Sequence, residues 1–179
     1  EQDPENIYAL LDRGVDKSIL EDYDAAIEDY TEVIRLDSDN ALAYYNRGKN
    51  KSRLEQNEEA IKDFNRAFKA ECGFVPDTGN YSYVTLYGLE DEFSVDVEAI
   101  HFERGVARYS IDSFNLAFQD FTAAINKEYS LPESYYYRGA IYLIYDQIDK
   151  GCTDLKKTVE LGDEDAREVM DEYCMGSVE

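Results

Sequence analysis

The chain reads as an all-α solenoid, in which copies of one two-helix unit stack in series. Three observations predict this. Glycines keep a fixed interval: Gly14 to Gly48 and Gly105 to Gly139 are each 34 residues, and Gly48 to Gly105 is 57, longer by 23. Alanines keep the same intervals, with Ala26 to Ala60 at 34, Ala60 to Ala117 at 57, and Ala117 to Gly151 at 34. Within each copy, apolar residues recur at helical spacing. A period of this size marks a repeat architecture, whose units bury their apolar faces only by stacking on their neighbours.

The units fall at 7–40, 41–74, 98–131 and 132–165. The first carries Ala26, Ile27, Tyr30, Val33 and Ile34 on one face of its second helix. In the second, Tyr44, Arg47, Gly48 and Lys51 share a helical face, and Asn57-Glu58-Glu59 opens a helix bearing Ala60, Ile61, Phe64, Ala67 and Phe68. The third repeats this with Ala117, Phe118, Phe121, Ala124 and Ile125. A mid-helix glycine such as Gly48 costs about 1 kcal/mol relative to alanine in an isolated helix. Its recurrence predicts a close helix crossing there, with Tyr30, Phe64, Phe121 and Leu155 filling the space between helices. After the fourth unit, residues 163–175 form one further amphipathic segment, with Ala166, Val169, Met170 and Tyr173 on one side, as a cap for the exposed end.

An aromatic, then Gly, then Ala, an aromatic and Ala over 34 residues resembles the tetratricopeptide repeat. Tyr44, Gly48, Ala60, Phe64 and Ala67 carry the pattern in the second unit. Leu10 replaces the leading aromatic and Val33 the last alanine in the first unit, and His101 takes the aromatic place in the third. Gly151 and Leu155 stand for Ala and the aromatic in the fourth. The closing proline is absent, with Ser38, Cys72, Tyr129 and Asp163 in its place. The resemblance covers about three quarters of the chain and implies a right-handed superhelix of antiparallel helix pairs in one domain, similar to bacterial members of the family.

A second periodic feature comes from the residues themselves. Arg13, Arg47, Arg104 and Arg138 each precede a repeat glycine, and Asp29, Asp63, Asp120 and Asp154 each follow sixteen residues after an arginine. A guanidinium reaching the facing helix could fork onto a carboxylate, so these four couples are expected as structural ion pairs.

Residues 75–97 interrupt the period. Pro76-Asp77-Thr78-Gly79-Asn80 is turn chemistry, and Tyr81, Tyr83, Thr85 and Tyr87 alternate along a β-prone stretch. An ordered irregular loop is expected, acting as a flap over the binding face or as packing at a bend, with Ser94 starting the next helix.

Composition limits function. Forty Asp and Glu against eighteen Lys and Arg give a formal charge of -22. Nucleic acid and anionic membrane surfaces would be repelled, and no apolar run reaches the length that inserts into a bilayer. The charge is that of a solvated outer surface, and it would also steer a basic partner. No initiating Met precedes Glu1-Gln2-Asp3-Pro4, which fits either a trimmed chain or an exported one. Export to a bacterial periplasm or cell envelope is the favoured expectation. Cys72, Cys152 and Cys174 are an odd number, against a disulfide framework. Cys152 and Cys174 lie at comparable distances on either side of a turn near Leu161-Gly162, so they could bond or could sit as two small apolar side chains.

Catalysis has little support. The sole histidine, His101, falls at a core position and is expected to be packed and hydrogen-bonded. No nucleophile–base pattern accompanies it, no spacing indicates a metal site or a cofactor, and Asp37-Ser-Asp39-Asn40 reads as a helix cap rather than a calcium loop. The family resemblance instead implies a concave face lined by the first helix of each pair. Its positions here are Leu11, Val15 and Ile19; Tyr45, Asn46, Lys49 and Arg53; Phe102, Val106 and Tyr109; and Tyr136, Tyr137, Ala140 and Leu143. Aromatics with a small basic patch suit a protein or peptide, and Asn46 with Lys49 resembles part of a carboxylate clamp. Sugar binding by the tyrosines and self-assembly through the same face are the alternative readings.

Overall fold

The computed structural model describes residues 7–72 and 94–174. Among them are nine helices and no strand: α1 (Ile7–Ile19), α2 (Tyr23–Leu36), α3 (Ala41–Arg53), α4 (Asn57–Cys72), α5 (Val97–Ser110), α6 (Phe114–Asn126), α7 (Leu131–Ile144), α8 (Ile148–Glu160) and α9 (Ala166–Cys174). No described helix is long and apolar enough to cross a membrane. The chain groups into two compact units, Glu1–Ile100 and His101–Glu179. The tyrosine-rich stretch from Tyr81 to Tyr87, read above as a flap or packing, lies outside the described residues.

In the first unit, α1 packs on α2, α2 on α3, and α3 on α4. The reason for the glycine period is visible at Gly48. A Cβ built there would lie 2.8 Å from Phe64 Cε1, and one at Gly14 would lie 2.7 Å from Tyr30 Cε1. Tyr30, Phe64, Ala26 and Ala60 are essentially unexposed, and burial of each large ring contributes roughly 1.5–3 kcal/mol. Two caps set the helix starts. Asp22 accepts from the Ala25 amide and buried Asn40 from the Ala43 amide, at 3.3 and 2.9 Å.

The first helix of every pair ends in the same way. Glu21, Glu55, Asp112 and Asp146 have φ near +60°. The next amide reaches back five residues: Asp22 to Lys17, Gln56 to Lys51, Ser113 to Arg108 and Gln147 to Tyr142, all at 2.9 Å. This is a left-handed helix stop of the type usually given to glycine, here carried by acids at the same 34- and 57-residue intervals.

In the second unit, α6 packs on α7, α7 on α8 and α8 on α9. Phe121 closes on Gly105 as Phe64 does on Gly48, and Gly139 meets Gly151 directly: a Cβ on either would lie 3.2 or 3.1 Å from the facing carbonyl oxygen, and one on Gly151 only 2.7 Å from Leu143 Cδ2. Helix α5 starts at Val97 rather than Ser94, because the Val95 amide donates to the Glu71 carboxylate at 2.6 Å while the Asp96 carbonyl receives the first helical amides. The cap helix starts at Ala166 rather than at 163, because the Asp163 carboxylate accepts from the amides of Asp165 and Ala166. Cys152 and Cys174 form a disulfide, with Cα atoms 5.7 Å apart, that fastens α9 to α8.

Candidate functional site

Four ion centres recur along the helix pairs. Arg13 forks onto Asp29 (2.9 and 2.6 Å), Arg47 onto Asp63 (2.8 and 2.7 Å), Arg104 onto Asp120 (3.1 and 2.7 Å) and Arg138 onto Asp154 (2.7 and 2.9 Å). A second cation, one turn after the arginine, joins three of them: Lys17 at 2.8 Å, Lys51 at 2.7 Å and Arg108 at 2.6 Å. The fourth centre has Tyr142 at that position. Sequence reasoning missed these second cations, although they keep the repeat interval.

His101 Nδ1 lies 2.9 Å from Asp120 Oδ1. An ionised carboxylate can only accept, so the ring proton sits on Nδ1. Burial opposes ionisation of Asp120, but the hydrogen bonds from His101 and Arg104 and the charges of Arg104 and Arg108 outweigh it, and its pKa lies below the ordinary carboxyl value. Both Asp120 oxygens accept from these groups, so the centre ties α5 to α6, which is a structural arrangement. Among the described residues no group of three His, Cys, Asp or Glu could hold a metal ion.

The first unit contains a cavity of about 430 Å³ between α1, α2 and α3. Val15, Asn46, Lys49 and Arg53, assigned to the binding face from the sequence, all line it, together with Ile19. Val15 and Ile19 are 41% and 72% exposed, leaving apolar surface uncovered at its wall. Lys49 and Arg53 give it positive charge, with Glu21 opposite. Asn50 also lines it and was not recognised in the sequence. Its Nδ2 donates to the Asn46 carbonyl at 2.8 Å, and its buried Oδ1 has no partner among the described residues. Leu11 and Tyr45 differ from expectation, since both are core residues. Leu11 packs with Ala26, Tyr30 and Val33; Tyr45 is 9% exposed, lies 6.1 Å from the Phe64 ring and carries the Lys49 ammonium 5.3 Å from its own.

In the second unit the expected lining residues form an interlocked aromatic face. Tyr137 stacks on Phe121 at 4.9 Å and meets Tyr109 edge-on at 5.2 Å; Tyr136 lies 5.7 Å from Tyr137. Phe102 packs 6.1 Å from both Phe121 and Tyr129, and Val106 packs against the same core. Burial raises the phenol pKa of Tyr109 and Tyr137, and the neighbouring Tyr136 adds to it. These side chains are half-buried. Leu143 turns instead to its partner helix and covers Gly151.

Comparison with known proteins agrees with this construction. The family described as "TPR repeat" matches residues 19–49, and the one described as "Tetratricopeptide repeat" matches residues 41–71. Among solved structures, a crystal structure of MamA is similar at a TM-score of 0.71 and 21% identity, covering 92% of this chain and 83% of that one. MamA from Desulfovibrio magneticus RS-1 gives 0.75 at 15% identity, covering 94% and 84%. YrrB, titled "a TPR protein with an unusual peptide-binding site", gives 0.70 at 18% identity, covering 97% and 80%. These likenesses are of fold. Among curated proteins none matches the sequence.

Proposed function

Because the chain is a tetratricopeptide-repeat protein, we propose that it is a non-catalytic scaffold that binds a protein or peptide, and that the first-unit cavity is one of its contact sites. The observation that carries this is the lining of that cavity. Exposed Val15 and Ile19 supply apolar surface, and Lys49 and Arg53 supply charge. Such a set takes an apolar side chain next to a carboxylate. The charge of -22 gives a basic partner long-range attraction, while the cavity supplies a local anchor for an acidic group. Tyr109, Tyr136 and Tyr137 offer a second contact face for aromatic and aliphatic side chains. The similarity to a protein titled for its peptide-binding site supports the same class of partner. The Cys152–Cys174 bond favours an oxidising compartment, hence an exported protein.

The test is selection from an arrayed peptide library on the immobilised protein. Selected peptides should pair an apolar residue with a carboxylate, and Lys49→Ala with Arg53→Ala should weaken them about ten-fold at unchanged helicity. Unchanged affinity in that variant sinks the assignment. Tyr45→Ala is a poor probe, since its ring belongs to the core.

A further inference from the structure

A different surface of the first unit departs from the chain's charge. On the side of α3 turned away from the cavity just described, Tyr44 and Arg47 join Lys62, Asp63, Arg66 and Lys69 of α4 around an open cavity of about 700 Å³. Its one carboxylate, Asp63, is already engaged by Arg47 and Lys51, each at 2.7 Å. Apart from Tyr44 and Asn65 the remaining lining is cationic, in a chain of formal charge -22.

Some exposed cations elsewhere are paired on their own helix, three residues from a glutamate: Arg35 by Glu32, Lys157 by Glu160 and Arg167 by Glu164. Lys62 has a longer contact of this kind, 3.7 Å from Glu59. Arg66 has none among the described residues. It stands one turn from Lys62 on one side and from Lys69 on the other, and the acid within reach, Asp63, is turned to α3. Like charges at this spacing cost an isolated helix a few tenths of a kcal/mol per pair, and no contact of Arg66 among the described residues offsets that. Lys62, Arg66 and Lys69 advance along about 10 Å of one helix face, enough to meet carboxylates spaced over two turns of a partner.

We infer that the Lys62–Arg66–Lys69 face of α4, with the Tyr44 ring as its wall, is a docking surface for an acidic peptide segment of a partner protein. Charge complementarity selects the occupant. Polyphosphate surfaces such as nucleic acid or an anionic bilayer meet the repulsion of the whole chain at long range. A short carboxylate-bearing segment is engaged locally, within the Debye length of roughly 8 Å at physiological salt.

The probe is a short fluorescent peptide with glutamates at one-turn spacing and no basic residue, titrated against the full chain by anisotropy. Binding should weaken with added salt, and Lys62→Glu with Arg66→Glu should reduce it at least about ten-fold while circular dichroism is unchanged. Lys49→Ala with Arg53→Ala should leave it intact, which separates this surface from the cavity on the other side of α3. Absence of binding, or equal binding by the charge-reversed variant, overturns the inference. So does equal or tighter binding of a DNA duplex or of phosphatidylserine vesicles. Self-association that the charge reversal abolishes, seen by sedimentation, assigns the surface to a second copy and overturns it as well.

Discussion

The third and fourth repeats solve one problem by different means. Asp120 on α6 and Asp154 on α8 hold equivalent positions, and each takes a fork from the arginine sixteen residues earlier. Asp120 also meets His101 and Arg108, and its side chain is 2% exposed. Asp154 has Arg138, with Tyr142 where Arg108 would stand, and α8 is instead bonded covalently to α9. The third helix pair is held by a centre of three donors on one carboxylate, whereas the fourth has the fork alone and its second helix is fastened onward to α9. They should therefore fail under different conditions.

The largest effect is expected at Asp120. Asp120→Ala leaves Arg104 and Arg108 facing each other in largely buried surroundings, and removal of one partner from such a group costs about 3–5 kcal/mol. Urea denaturation should read this as a drop in midpoint. Removing the staple with Cys152→Ala and Cys174→Ala should cost about 2–4 kcal/mol, and a thiol reductant should reproduce the loss in the unaltered chain. Asp154→Ala strands a single guanidinium that is 17% exposed, so about 1–3 kcal/mol is expected. Equal losses at Asp120 and Asp154 would erase the distinction between the repeats.

Acid should separate them again. The folded pKa of Asp120 lies below that of an unfolded aspartate, near 3.9. The folded state therefore holds fewer protons than the unfolded one just below that value. The contribution is fully present above about pH 4 and is lost as pH falls through the folded pKa. Asp120→Asn should flatten the acid limb of a stability-against-pH curve. A limb of unchanged slope would show that Asp120 does not set it. Asp29, lowered in spite of burial by its bonds to Arg13 and Lys17, adds to the same limb in the first unit.

What the sequence revealed follows from what helices constrain. The glycine and alanine intervals are legible because a close crossing tolerates only small residues, and Gly48 lies under Phe64 for that reason. The Arg-to-Asp spacing points to facing positions because a tight helix hairpin fixes which residues oppose. The second cations escaped notice because a lysine on a helix reads as solvent-facing, and Tyr142 breaks the series. The helix stops escaped because Glu21, Glu55, Asp112 and Asp146 stand where glycine would have announced a turn. Helical periodicity assigns a face but not what covers it. Hence Val15, Asn46, Lys49 and Arg53 share a cavity, whereas Leu11 and Tyr45, placed with them by the family pattern, are sealed beneath neighbouring helices. Asn50 gave no signal, since a polar residue in mid-helix is ordinarily solvated.

The smallest expected effect is common to both repeats and so sharpens the contrast. Asp112 ends α5 with φ of 59°, and Asp146 ends α7 with φ of 57°. A non-glycine residue in this region carries a cost that glycine does not, partly offset by glycine's greater freedom in the unfolded chain. Asp112→Gly and Asp146→Gly should each raise stability by less than about 1 kcal/mol, read as a small rise in urea midpoint. The two gains should match, because the turn geometry is the same in both repeats while the ion centres are not. A gain at Asp146 alone would mean that Asp112, one turn beyond Arg108, contributes to the charge around Asp120. The electrostatic centre of the third repeat would then extend past the three cations that touch it.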